Sequence, residues 1–398
     1  MKQFRTMLLG SAAMSMAAMA AMPAEAAEVE RTLKMSGWVN KAAAFVDDGD
    51  STYTDYVEPG HGRSRVRWIA EAKGPDFTMG GVIELGLTIN DSNGQNQVTD
   101  ENTGSDTGTL QGRRAAVYIT HKKFGTINLG KYQAASDGHV EADLSGTVVS
   151  SKNGEYVGIE GGTYRFLPDA TDMGGAGNNT FPANSVDIST VVDQLDNLQT
   201  GGRPNGVRYT SPSFKGASLR FGTYEGGSTD VAVHYYAKLK LPKIGDTKIA
   251  ARFAAYNTSG NSTISDGGIG GSISALHNSG ISLTFAGAER DETRELCSGG
   301  DPTNLWARAG YQFKSQSFGM FGKTHLSFNW QQTDNLTNND SYSCSDQSVN
   351  IWGANIVQNF DAYGTELYGG FASADLESGN AIRYEGIDAG WVGMRVKF

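Results

Sequence analysis

Apolar and polar residues alternate with period two along most of the chain after Thr32. Phe77, Met79, Ile83, Leu85, Leu87 and Ile89 fall on one parity, Thr78, Glu84, Thr88 and Asn90 on the other. Val231, Val233, Tyr235, Ala237 and Leu239 oppose His234, Tyr236, Lys238 and Lys240 in the same way. Further on, Leu305, Ala307 and Ala309 oppose Trp306 and Arg308, and Leu326, Phe328 and Trp330 oppose His325, Ser327, Asn329 and Gln331. Successive side chains of a strand point to opposite faces, so each segment reads as a strand with one apolar and one wet face. The stretch RSRVRWIAEAK, residues 63–73, is the sharpest case, with Arg63, Arg65 and Arg67 interleaving Val66 and Trp68. Alone, it fits a soluble sandwich as well as a barrel wall.

Sixteen such strands are expected, starting near residues 32, 63, 77, 113, 125, 205, 217, 230, 247, 268, 281, 304, 323, 349, 364 and 388. The connections sort by length: short turns at 74–76, 121–123, 212–216, 242–246 and 277–280 alternate with long polar loops at 47–62, 91–112, 132–204, 257–267, 290–303, 333–348 and 375–387. The brief 225–229 connection is the exception. Outer-membrane up-and-down barrels have short periplasmic turns and longer external loops, whereas a sandwich has no reason to sort its loops by parity. Closure also removes the edge strands that an open sheet of this size exposes. The expected fold class is therefore all-β, a transmembrane antiparallel up-and-down β-barrel of 16 strands. An arginine facing lipid near the bilayer midplane costs about 2–4 kcal/mol, so Arg65 and Arg67 turn into the lumen and Val66, Trp68, Ala70 and Ala72 turn outward.

The N-terminus supports export. Lys2 and Arg5 precede an apolar run from Met7 to Met22, and Ala24-Glu25-Ala26 is a cleavage signal, so residues 1–26 read as a signal peptide and 27–398 as the barrel. Removing 1–26 moves the formal net charge from −10 to −11. No later segment approaches the roughly 20 apolar residues of a transmembrane helix. Net acidity without a Lys/Arg cluster argues against nucleic acid as a partner. Cys297 and Cys344 lie in polar stretches, in consecutive external loops, and point to a disulfide, with a metal-free thiol pair as the alternative.

Three blocks resemble Gram-negative general porins of an alphaproteobacterial type: KKFGTINLGKYQAASDG at 122–138, NGVRYTSPSFKGASLRFGTYEGG at 205–227 and LKMSGWVNKAAAF at 33–45, together with the terminal strand that ends on Phe398. The resemblance implies a homotrimer in outer-membrane lipid and lipopolysaccharide that passes small hydrophilic solutes by diffusion. It implies that the third loop folds into the lumen, its acids facing a basic cluster on the wall, and that the barrel-assembly machinery reads the Phe398 strand.

The 132–204 loop, 73 residues long, far exceeds the usual 12 to 15 residues of a structureless loop. Its first acids are Asp137, Glu141, Asp143, Glu155 and Glu160, against only Lys152, Arg165 and Arg203 before the next strand. The facing cations are expected to be Arg65, Arg67, Arg114, Lys131, Arg208 and Arg220; strict alternation turns Lys131 outward, and only the resemblance turns it in. The segment 186–199 is a candidate short helix. Ser136, Asp137 and His139 lie close in sequence but lack a nucleophile-elbow motif. The six histidines show no metal-ligand spacing, and GGAGNN at 174–179 and GGIGG at 267–271 lack the setting of a phosphate loop. No cofactor is expected; calcium on the loop acids is an alternative without a twelve-residue calcium-loop motif. The function expected is a porin, with a solute-specific channel for sugars or anions and an exported binding or adhesion protein without a pore as alternatives.

Overall fold

The computed structural model describes residues 29–398 apart from 96, 98–107, 154, 157–163, 169–184, 188–201, 243–244, 259–264, 293–300, 314–321, 336–346 and 379–381. Sixteen strands form the wall. The first eight are β1 (Glu30–Asp47), β2 (Arg65–Lys73), β3 (Phe77–Thr88), β4 (Thr109–His121), β5 (Gly125–Lys131), β6 (Asn205–Thr210), β7 (Ala217–Tyr224) and β8 (Thr229–Leu241). The rest are β9 (Gly245–Asn257), β10 (Ser265–His277), β11 (Ile281–Glu292), β12 (Thr303–Gln312), β13 (Thr324–Asp334), β14 (Gln347–Phe360), β15 (Thr365–Ser378) and β16 (Ile387–Lys397). Each pairs antiparallel with its neighbour in sequence, and β1 closes the barrel: its first half pairs with β2, Glu30 opposite Lys73, and its second half with β16, Trp38 opposite Lys397. Phe398 completes the seam through backbone hydrogen bonds with Gly37 in both directions.

The outer surface carries the apolar parity. Leu33, Ile83, Val117, Leu219, Phe285, Phe328 and Val392 are each more than half exposed. A water-soluble sheet buries such residues, whereas hydrocarbon solvates them. Phe124, Phe214 and Tyr363, all more than two-thirds exposed, stand at the short turns where a barrel carries an aromatic girdle.

Three expectations need correction. The 47–62 connection holds a short strand, Thr52–Val57, which pairs with residues 42–47 of β1 above the point where β2 leaves it. Nor is the inner face uniformly wet. From β14 through β16 to β1 it presents Val349, Ile351, Ala372, Ala374, Ile387, Ala389, Ala42 and Ala44, all buried. Both parities are apolar there because Tyr156, Tyr164, Phe166 and Val186 of the 132–204 loop pack into the same buried cluster. Val186–Asp187 is a strand paired with Arg165–Phe166, not the start of a helix; 188–199 lies outside the described residues.

Candidate functional site

The first part of the 132–204 loop, residues 132–153, runs around the inner wall, held by the polar parity of successive strands. Asp230 on β8 accepts from the Ser136 backbone N–H and hydroxyl, both at 2.7 Å, and from the Tyr224 hydroxyl at 2.7 Å. On β10, Ser272 donates to the His139 carbonyl at 2.6 Å and accepts from the Ala142 N–H, and Ser274 accepts from the Leu144 N–H at 2.9 Å. Farther round, Ser327 on β13 meets Thr147, and Ser150 donates to Asn355 on β14 and accepts from the Trp391 indole of β16. Short hydroxyl side chains on the wall thus satisfy loop backbone groups that would otherwise be buried unpaired. The close approach requires Gly270, where a Cβ would stand 2.7 Å from the His139 ring, and Gly138, whose φ of +71° suits glycine.

One anchor is ionic. Asp143 meets Arg308 on β12 at 2.7 Å with both side chains fully or almost fully buried. Arg308 also donates to the Ser151 carbonyl and hydroxyl, and its guanidinium lies 4.7 Å from the Trp306 ring centroid. Asp143 therefore faces a wall cation outside the expected basic set, and burial against β12 makes it an anchor of the loop. Breaking such a pair costs about 3–5 kcal/mol, because the surviving charge stays buried.

Across the lumen the wall is basic. Arg65, Arg67 and Arg114 converge on one carboxylate, Glu84 of β3, which is fully buried among them. Arg67 Nε lies 2.6 Å from Glu84, and Arg113 adds a fourth guanidinium at 3.0 Å. Glu84 stands opposite Arg67 on β2 and Arg114 on β4, and a bulge beyond this pair puts Leu85 opposite Gly112. The extra residue is Arg113, and the bulge turns two adjacent arginines to the same side. Neither Glu84 nor Arg113 was singled out above. The signals were present: Glu84 is the acid on the polar parity of β3, and an Arg-Arg pair in a strand breaks alternation.

The remaining cations gather farther along. Arg208 on β6 donates to the Gln133 carbonyl, and Arg252 on β9 donates to the Gly138 carbonyl at 2.8 Å. Arg220 on β7 has Arg208, Arg252 and Asp137 among its charged neighbours. The Tyr132 ring lies between the two groups, 5.4 Å from Arg114 and 4.5 Å from Arg208. Lys131 stands apart, half-buried between Ala115 and Asn205, and makes no ion pair among the described residues.

On the loop, Lys152 Nζ holds Glu141 at 2.8 Å. Burial, and then the neighbouring Glu141 charge, raise Asp137 above the usual carboxylate range. Burial lowers His139, which stays neutral at ordinary pH. The Glu155 side chain, Glu160, Cys297 and Cys344 lie outside the described residues. Below the loop a cavity of about 340 Å³ spans the lumen from Tyr236 and Lys248 to Glu366 and Arg395.

A closed barrel with an apolar outside and a charged inside, narrowed by an inward loop, is the geometry of an outer-membrane channel. A family model described as Gram-negative porin matches residues 11–379. The chain belongs to the Gram-negative porin family. No curated protein matches it. Among solved structures, the trimer form of in-vitro folded OmpT, an outer membrane protein of Vibrio cholerae, aligns with a TM-score of 0.53 at 12% identity, covering 92% of this porin and 99% of that chain. A loop L8 deletion mutant of OmpT aligns at 0.52 and 12%, with the same coverage. At such identity the likeness concerns the fold. Membership places the porin in the outer membrane and makes the loop-lined lumen its channel.

Proposed function

We propose that this porin is a passive channel and not an enzyme, exported by a signal peptide at 1–26 and assembled as a homotrimer, through which small hydrophilic solutes and ions diffuse. One observation carries the reading: residues 132–153 of the 132–204 loop lie along the inner wall, with the acids Asp137 and Glu141 on the side of the lumen that holds the arginines. Loop carboxylates beside wall guanidiniums in a narrow, low-dielectric passage set a local field that orients dipolar solutes and repels apolar ones. The trimer draws support from the trimer form of OmpT, which shares the fold. The loop hydroxyl and imidazole argue against nucleophilic catalysis: Ser136 donates to Asp230, while His139 Nδ1 meets the Ser136 carbonyl and not its hydroxyl.

Single-channel recording in a planar bilayer tests this reading. Stepwise current that rises with salt concentration is expected. A folded barrel that inserts without current would instead support an exported binding or adhesion protein.

A further inference from the structure

The basic wall divides into two groups that differ in what holds them. Arg65, Arg67, Arg113 and Arg114 share the Glu84 carboxylate. Arg208, Arg220 and Arg252 form no ion pair among the described residues, although they are one another's charged neighbours. His234 lies in their midst, directly opposite Arg252 across β8 and β9. Nε of Arg208, Nε of Arg220 and Nε2 of His234 are buried without a hydrogen-bond partner. Four residues along the strand toward the short turns, Lys238 stands directly opposite Lys248 in register, and Lys248 lines the cavity beneath the loop.

Like charges directly opposite in a sheet are destabilising, and each buried donor left unpaired carries an uncompensated desolvation cost. Both costs fall when an anion occupies the space between the groups. Guanidinium forks match the geometry of oxyanions and bind them more specifically than point charges do. A lumen with low-dielectric walls strengthens the attraction further.

We propose that Arg208, Arg220 and Arg252, with His234, form a lumenal binding site for small oxyanions of the phosphate and carboxylate type, and that Lys238 and Lys248 pass the bound anion toward the short-turn side. The site rests on the pore reading and gives it a solute class. The guanidiniums donate to the anion, and the Tyr132 ring, 4.5 Å from Arg208, backs that guanidinium. Asp137, the carboxylate beside Arg220, makes no ion pair with it among the described residues, whereas the Glu84 group shares its carboxylate at ion-pair distance and does not compete.

Inorganic phosphate is the probe. Chloride current through the full-length porin in a planar bilayer should fall saturably as phosphate is added. Arg220→Gln combined with Arg252→Gln should raise the half-blocking concentration at least tenfold. Block that does not saturate, or that the double variant leaves unchanged, overturns the site while the current itself upholds the pore. Phosphorus NMR reads binding without conduction: the phosphate line should broaden with folded porin in detergent and sharpen again with the double variant. Broadening by a barrel that passes no current would keep the site and overturn the pore, and no broadening would overturn the site. If heat-dependent gel mobility shows that the double variant does not fold, Arg220→Lys replaces it. That change keeps the charge and removes the fork, and a shift of less than twofold would overturn the site.

Discussion

The two halves of the lumen are built on opposite principles. From β14 to β1 the inner wall is small and apolar, and it closes on Tyr156, Tyr164 and Phe166 of the loop as a dry core. From β2 to β4, and again from β6 to β9, the inner wall is a row of arginines facing the passage. The apolar half gains stability by excluding water, and the charged half needs water, or solute, to solvate what it presents. The described parts of the 132–204 loop can therefore narrow a channel without drifting, because Tyr156, Tyr164 and Phe166 are packed while residues 137–141 lie beside the arginines.

The most damaging way to break this division is to open the dry half. Phe166 is fully buried in the cluster with Trp391, Ile387 and Val349. Phe166→Ala should cost about 3–5 kcal/mol, the usual range for truncating a buried aromatic. The measurable result is a lower urea midpoint in detergent together with larger, noisier single-channel currents as the loop loses its seat. Unchanged midpoint and unchanged open-channel noise would show that the apolar half does not hold the loop.

How far the sequence discloses this depends on which solvent disciplines a residue. Lipid outside imposes a parity on every strand, so the starts expected at 77, 125, 205, 217 and 281 coincide with the observed strands, and Arg65 and Arg67 turn inward as read. Inside the barrel no single solvent rules. Ala42, Ala44, Ile351 and Ala374 are apolar on the inward parity because a loop far away in sequence packs on them, a cause absent from their own strands. The Glu84 cluster depends on strand register and a bulge, which alternation does not specify. Arg252 holds the loop through the Gly138 carbonyl and Arg308 through Asp143 and Ser151, and nothing in their strands marks them.

A smaller effect is expected from unbalancing the charged half. Glu84→Gln removes the carboxylate that four guanidiniums share and leaves their repulsion uncompensated. Hydrogen bonds to charged groups contribute about 1.5–3 kcal/mol, so the folded barrel should survive with reduced stability. Its reversal potential in a salt gradient should move toward that of chloride. An unmoved potential would place the cluster away from the ion path.

The smallest effect is a titration. Burial and the Glu141 charge raise Asp137 above the ordinary carboxylate range, while Arg203 and Lys152 pull it back in part. Arg220 faces it from β7, and Gln133 donates to it at 2.6 Å. A raised carboxylate takes up its proton at a higher pH than the unfolded chain does. Folding is therefore favoured as the pH falls through the raised value, and the negative charge at the loop is lost early in acidification. His139, lowered by burial, is the other titratable group of this part of the loop, and the substitution of Asp137 separates the two. Anion preference should accordingly rise on mild acidification, with a midpoint above the value near 3.9 of a free aspartate. Asp137→Asn should show the acid-form preference at every pH. A midpoint unchanged by that substitution would assign the titration to another carboxylate, and Glu141, held by Lys152, would be the next to replace.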